Sequence, residues 1–313
     1  MGKFVSMAVI AIITLTIGLL LAVAVMAGSG SGPAGSGTTD VGGTTPGGVP
    51  GSGGIQPGPA IEPGWLTLYR QAAGYCPGLS WSVLAAIGTV ESSNGQSTAP
   101  GVASGANAAG AEGPMQFEPA TFAAYATVGP GGAQPASPYD PTDAVYTASA
   151  MLCANGAGAP ATLRAAIADY NHSNPYVDTV LTLALAFDQD PTASGTVVAT
   201  LSYAAQQLNT PYIWGGTGEG GFDCSGLAQV AYRKAGISLP RVAQDQFDAG
   251  PQVPAGSTVE PGDLIFFGSG PTAIEHVGLY VGAGEMIDAP HTGALVRFDS
   301  AHWSGLAGAT RPG

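Results

Sequence analysis

The chain has 313 residues, of which 49 are Gly and 25 Pro, roughly a quarter of the total and near the level at which low-complexity sequence is suspected. With 8 Lys+Arg against 21 Asp+Glu the formal net charge is −13, so the chain could release few counterions from a phosphate backbone; nucleic-acid binding and steering toward polyanions are excluded. Once an apolar run at 4–27 and a Gly/Ser/Thr/Pro stretch at 28–60 are set aside, about 250 residues remain to fold, which suits two domains of about 120 residues each.

Residues 4–27, FVSMAVIAIITLTIGLLLAVAVMA, carry no charge. At 1.5 Å rise about 24 residues cover about 36 Å, more than the hydrocarbon core of a bilayer. Lys3 and the amino terminus are the only positive charges before the run, so the positive-inside rule places residues 1–3 in the cytoplasm and the body outside, as a single-pass protein of the cell membrane. A cleaved signal is the rival reading, because Ala22-Val23-Ala24 is an A-x-A-like site; the hydrophobic region of a signal is ordinarily shorter, at about 7–15 residues. Either reading exports the body, tethered in one case and secreted in the other. Residues 28–60 hold one charge and no aromatic residue, cannot bury enough surface to offset chain entropy, and read as a flexible linker.

Three cysteines in an exported chain leave one unpaired after any disulfide. A Cys76–Cys153 bond suits an oxidising compartment and closes a long loop, nominally worth about 4 kcal/mol; Cys224 is then the free thiol. The four His and three Cys show no metal-ligand spacing, so neither a metal nor another cofactor is expected.

In the first folded unit, residues 61–187, Ser80 is a plausible N-cap for WSVLAAIGTVE, a run apolar nearly all round and therefore read as a buried helix. At helical spacing Glu91 falls above Leu84, Ile87 and Gly88, which puts its carboxylate on the apolar face. Burial there raises the pKa, as a general acid working near neutrality requires; a glutamate fraying at a helix end is the alternative. Downstream come GAEGPMQFEPATF and AIADYNHSNPYV. Glu91-Ser92-Ser93, Gly113-Pro114-Met115-Gln116-Phe117 and Tyr170-Asn171 stand in that order over about 110 residues and resemble the three signatures of the soluble lytic transglycosylase and goose-type lysozyme family. The resemblance implies a mainly α, lysozyme-like domain whose cleft binds peptidoglycan glycan strands, with Glu91 as catalytic acid/base and Gln116, Tyr170 and Asn171 lining the sugar subsites. Pro114 stands where many relatives carry Leu, and Glu112 adds a carboxylate beside the turn. One carboxylate suffices for a transglycosylase, in which the substrate's own 6-hydroxyl attacks; Glu112 or Asp169 positioning a water would give a muramidase.

DQDPTASG, within a short linker at 188–196, leads to the second unit, 197–313. Cys224 stands at the mouth of a helix whose inward stripe is Leu227, Val230 and Ala231. Unpaired N–H groups and the helix dipole there favour thiolate, making Cys224 a candidate nucleophile; a buried inert cysteine is the bland alternative. PGDLIFF, HVGLYVG, EMIDA and ALVRF read as strands, with His276 opening the second. YIWGG, FDCSG, PGDLIFF and HVGLYVG resemble the NlpC-type cysteine peptidases, an α+β, papain-like fold, over about 115 residues. The resemblance implies cleavage of peptidoglycan stem peptides, usually between D-glutamate and the diamino acid, with Cys224 as nucleophile, His276 as base and Tyr212 beside the nucleophile supporting the oxyanion.

The residue that orients the imidazole depends on hairpin register. A three-residue turn, Gly282-Ala283-Gly284, puts Asp288 across from Gly278 on the face of His276, whereas a two-residue turn puts His291 opposite His276. The family position corresponds to Asp288, where many relatives carry His, and Asp288 is favoured because a carboxylate stabilises the imidazolium more strongly. His302 and His172 are expected to be structural or exposed. The combined expectation is a membrane-tethered, two-headed peptidoglycan hydrolase. A catalytically silent binding or scaffold subunit of an envelope-spanning apparatus is the alternative. The pairing of domains also resembles conjugative-element hydrolases, which implies wall opening for a conjugation or secretion apparatus.

Overall fold

The computed structural model describes residues 60–312, so the expected anchor at 4–27, and the linker before residue 60, lie outside the described residues. Among the described residues no helix is long and apolar enough to cross a membrane. Seven helices come first: α1 (Pro63–Ala73), α2 (Trp81–Ser92), α3 (Pro119–Tyr125), α4 (Pro141–Ala154), α5 (Pro160–Tyr170), α6 (Asn174–Gln189) and α7 (Gly195–Gln206). Two more, α8 (Cys224–Lys234) and α9 (Ala243–Ala249), precede the strands β1 (Leu264–Gly270), β2 (Ala273–Gly282), β3 (Glu285–Asp288), β4 (Arg297–Ser300) and β5 (Leu306–Thr310).

Much of the proline is helix punctuation. Proline occupies the first or second position of α1, α3, α4, α5 and α6, where its missing N–H deprives no carbonyl of a partner and its fixed φ suits the first turn. The centre of the helical region is α2, buried from Ser82 to Thr89 and packed against α1, α4 and α6. Ser80 caps it, its hydroxyl accepting from the N–H of Ser82 at 3.3 Å. Cys76, just past α1, is disulfide-bonded to Cys153 in α4, with Cα atoms 5.4 Å apart. The long loop before α4 is organised by the buried carboxylate of Asp143, which accepts from the N–H groups of Gly129, Ala133 and Ser137.

Only residues 190–194 separate α6 from α7, a shorter break than the expected linker 188–196. The sheet is antiparallel with order β4-β3-β2-β1-β5. Helices α7, α8 and α9 all pack against β2, and the inward residues Val277, Leu279 and Val281 of β2 join Leu227, Val230 and Ala231 of α8 in one core. The other face carries a smaller cluster, Ile265, Phe267, Tyr280, Met286 and Ala301, flanked by Val259 and Trp303. The main core is continuous from α2 and α6 into α7 and α8.

Candidate functional site

Glu91 lies in the last turn of α2, which ends at Ser93 in the left-handed conformation. Side chains fix the path of the chain as it leaves the helix. Ser92 donates from its hydroxyl to the carbonyl of Pro114 at 2.6 Å and accepts from the N–H of Gly95 at 2.7 Å. Asn94 is buried, accepting from the Tyr69 hydroxyl at 2.8 Å and donating to the carbonyl of Ala60 at 2.9 Å. The serine and the Gly-Pro-Met-Gln turn are thus two halves of one weld that fixes the floor beside Glu91. Tyr170 extends it, donating to the carbonyl of Met115 at 2.7 Å and packing on Phe117. Glu91 itself is half-buried. Desolvation raises its pKa from 4.5 to about 7, against a smaller lowering from the facing hydroxyl of Tyr176. That hydroxyl is buried and has no other hydrogen-bond partner among the described residues.

Gln116 stands at φ +47°, its amide donating to the carbonyl of Gly113 and accepting from Asn107. Asn171 accepts from the N–H of Ser173 as α5 ends. Both amides are therefore engaged in internal bonds. Glu112 pairs through its backbone with Phe117, and Asp169 and His172 are exposed.

In the second site Cys224 is the first residue of α8 and is a free, half-buried thiol. Asp223 caps the helix, accepting from the N–H groups of Gly226 and Gly215, and its carboxylate is gripped by both terminal nitrogens of Arg241. Cys224 is thereby held on a pinned helix start beside an open cleft of about 680 Å³. His276 and His291 line the same cleft, as do Tyr212 and the exposed Trp214. The Nε2 atom of His276 lies 2.7 Å from Oδ2 of Asp288, whose side chain is fully buried. This leaves Nδ1 of the ring to face the sulfur. Burial opposes the charge on His276, but bonding to Asp288 and the facing Cys224 outweigh it and push the pKa from 6.5 up to about 9. The ring is stacked on Trp303, centroids 5.1 Å apart, with Phe267 at 6.1 Å. His291 is exposed and bonds only the neighbouring carbonyl of Thr292.

Hairpin geometry explains the choice between Asp288 and His291: the two-residue turn is the one formed, yet the register that follows is the one expected of the three-residue turn. The turn is the two-residue Ala283-Gly284, both at positive φ, closed by Gly282 and Glu285. A bulge between Tyr280 and Gly282 then shifts the register back, pairing Tyr280 with Met286 and Leu279 with Ile287. Continued one residue, that register sets Asp288 across from Gly278, on the face of His276.

Comparison with known proteins fits this division of labour. Residues 69–185 match the Transglycosylase SLT domain and residues 209–309 the NlpC/P60 family. The chain carries an SLT domain followed by an NlpC/P60 domain. The probable endopeptidase p60 of Listeria monocytogenes is 44% identical over 105 residues, 34% of this chain and 21% of the relative. The gamma-D-glutamyl-L-lysine dipeptidyl-peptidase of Bacillus subtilis is 46% identical over 104 residues, 33% of this chain and 35% of the relative. A crystal structure of an NlpC/P60 family protein from Bacillus cereus is 34% identical with a TM-score of 0.35, covering 37% of this chain and 40% of the other. The chain thus spans well under half of these relatives, all matched over a third or so of its own length.

Several residues that build the two sites carry no obvious signal in the sequence. Tyr176 of the SLT domain lies five residues past Asn171, in a run that reads as plain helix. In the NlpC/P60 domain Trp303 comes from the loop before β5, a strand whose LAGAT sequence is too small and glycine-containing to announce itself. Asp223 could have been found, since an Asp immediately before a helix start is an N-cap signal.

Proposed function

We propose that the protein cleaves peptidoglycan twice, cutting glycan strands in the SLT domain and stem peptides in the NlpC/P60 domain. The observation that carries the reading is a pair of separately poised sites in one chain. One holds a lone Glu91 with its pKa near neutrality, and the other a Cys224, His276 and Asp288 constellation with a 2.7 Å imidazole–carboxylate bond.

In the glycan site Glu91, protonated below about pH 7, gives its proton to the glycosidic oxygen as the bond to the anomeric carbon breaks. The groups whose charges couple to Glu91 are tyrosines, Tyr170 and Tyr176, and no second carboxylate among the described residues contributes to its raised pKa. That supports internal attack by the muramic 6-hydroxyl, with Glu91 as base taking the proton that this hydroxyl releases, over the two-carboxylate hydrolytic schemes. The product is then a 1,6-anhydro-muramic end.

In the peptidase site the Cys224 sulfur attacks the stem-peptide carbonyl while His276 carries the proton, later delivering it to the leaving amine. Asp288 holds the ring and offsets the imidazolium charge, and the Tyr212 hydroxyl with the first N–H groups of α8 faces the developing oxyanion. A thioester forms and water resolves it. The scissile bond is taken to follow D-glutamate, in keeping with the activity for which the Bacillus subtilis relative is named. Export past the membrane, with residues 4–27 as anchor, belongs to the same proposal and is supported by the Cys76–Cys153 disulfide, a bond of oxidising compartments. Service in a conjugation or secretion apparatus rests on the domain pairing alone.

Mass spectrometry of muropeptides released from purified cell walls tests the whole. The wild type should yield anhydro-muramic ends and cut stems, Glu91→Gln cut stems only, and Cys224→Ala anhydro ends only. Reducing muramic ends would overturn the transglycosylase assignment. Intact wall with every protein would favour the silent scaffold.

A further inference from the structure

The hairpin that carries Asp288 is not stabilised by the NlpC/P60 domain alone. Its tip lies against the end of α6, the last helix of the preceding region. Gln189, the final residue of α6, accepts at Oε1 from the Tyr280 hydroxyl at 3.1 Å and from the N–H of Ala283 at 3.2 Å, while its Nε2 donates to the carbonyl of Val259 at 2.7 Å. Tyr280 in turn accepts from the N–H of Gly284 at 3.2 Å. Both N–H groups of the two-residue turn are therefore satisfied by this pair of side chains. The backbone closes in as well: a Cβ on Gly282 would stand 2.8 Å from the carbonyl oxygen of Leu185.

What these contacts hold is the bulge. A plain two-residue turn would run the register that faces His291 to His276, and the extra residue at Val281 is what returns Asp288 to the correct face. The turn is intrinsically poor, since Ala283 has a Cβ yet sits at φ +54°, a conformation that needs outside support. Among the described residues Asp288 has no other side-chain anchor, for its Oδ1 is buried without a partner and Oδ2 bonds only His276.

We propose that Gln189 is a positioning residue for the peptidase site, pinning the bulged β2–β3 tip from the glycan-cleaving side so that Asp288 stays on His276. The proposal rests on the peptidase reading above for its activity arm. One domain thereby completes the working geometry of the other, and the fusion of the two is functional rather than a matter of tethering.

The charged and titratable groups around His276 are Cys224 from α8, Asp288 from β3, Glu275 beside it on β2, Asp223 and Arg241 across the cleft, Tyr212, and the exposed His291. None is altered by a change at Gln189, so a shift in His276 reports geometry. The experiment uses the full chain with Gln189→Leu, of similar bulk but without hydrogen bonds, and Gln189→Glu, which keeps an oxygen to accept from Tyr280 and Ala283 but loses the donation to Val259. Tyr280→Phe provides a second route to the same network should the leucine variant fold poorly. His276 is titrated by NMR, and kcat and KM for a stem peptide are measured against pH.

Gln189→Leu and Tyr280→Phe should lower the His276 midpoint from about 9 by on the order of one unit, and kcat about tenfold with KM nearly unchanged. Gln189→Glu should restore part of both, through the two bonds it can still accept, and glycan cleavage should stay at the wild-type rate throughout. An unchanged His276 titration in the leucine and phenylalanine variants would overturn the proposal. A wild type that leaves stem peptides uncut would count against the peptidase reading instead, while the titration still decides the role of Gln189.

Discussion

A carboxyl that must surrender a proton near neutrality has to be costly to ionise, and the cost should be visible in stability. Glu91 has a folded pKa of about 7 against 4.5 unperturbed, so the native state holds its proton more tightly than the unfolded chain. Its contribution to stability is whole below about pH 4.5 and falls as pH rises toward 7. Glu91→Gln should therefore match the wild type at pH 4 and exceed it at pH 8, a crossover that paired melting curves will show. Equal curves at pH 8 would mean the carboxylate is solvated well enough to make a poor acid. At His276 the proton is likewise held more tightly in the fold, but here the charged form is the favoured one. Its folded pKa of about 9 lies above the ordinary 6.5, so its contribution is full below about pH 6.5 and lost as pH climbs through 9. Trp303, stacked on the ring at 5.1 Å, presents a face that favours the imidazolium. Trp303→Leu should lower the His276 midpoint by about half to one unit, as a cation–π contact of about 0.5–1.5 kcal/mol implies, read by NMR titration. At this scale Glu91 was legible because burial follows from helical spacing on an apolar run. Tyr176 and Trp303 were not, because each reaches its site through tertiary packing that no local pattern encodes.

Between neighbouring elements the decisive feature is one residue of register. The strands themselves follow from β-branched and aromatic runs, and three of the four expected are formed nearly where the sequence puts them, whereas ALVRF contributes only its last two residues to β4. Face assignment follows from the period of two. The bulge does not, because Val281 is unpaired through the closure of a tight turn against a distant helix rather than through any property of valine. The consequence is directly measurable. Asp288→Asn keeps an oxygen near the ring and should slow stem-peptide cleavage by on the order of ten- to a hundred-fold, through loss of charge stabilisation. His291→Ala, at an exposed side chain that bonds only the carbonyl of Thr292, should leave the peptidase rate within about twofold. The reverse ranking in kcat/KM would mean that the working register is the slipped one.

Across the whole described region the two domains share one apolar core. Phe187 and Leu183 of α6 belong to the same buried cluster as Leu201 of α7, Phe222 just before α8, and Leu227 within it, and the break between α6 and α7 is only residues 190–194. A linker so short and an interface so apolar differ from the separating linker expected at 188–196. Composition reported the polarity of those residues correctly but could not report that the helices on either side pack on each other. A shared core predicts shared unfolding, and the disulfide provides a handle far from the peptidase. Cys76 and Cys153 join the end of α1 to α4, and neither touches the NlpC/P60 residues 209–309 through the bond they form. Replacing both by serine should cost about 2–4 kcal/mol, mostly by freeing the unfolded chain. For a cooperative unit of this size that corresponds to a fall of about 4–15 °C in Tm. If the core is continuous, the temperature at which stem-peptide cleavage is lost should fall by the same amount as the helical signal in circular dichroism. A peptidase that survives to its wild-type temperature while the helical signal melts early would show two domains folding separately, and Gln189 would then be a contact between neighbours instead of a brace within one unit.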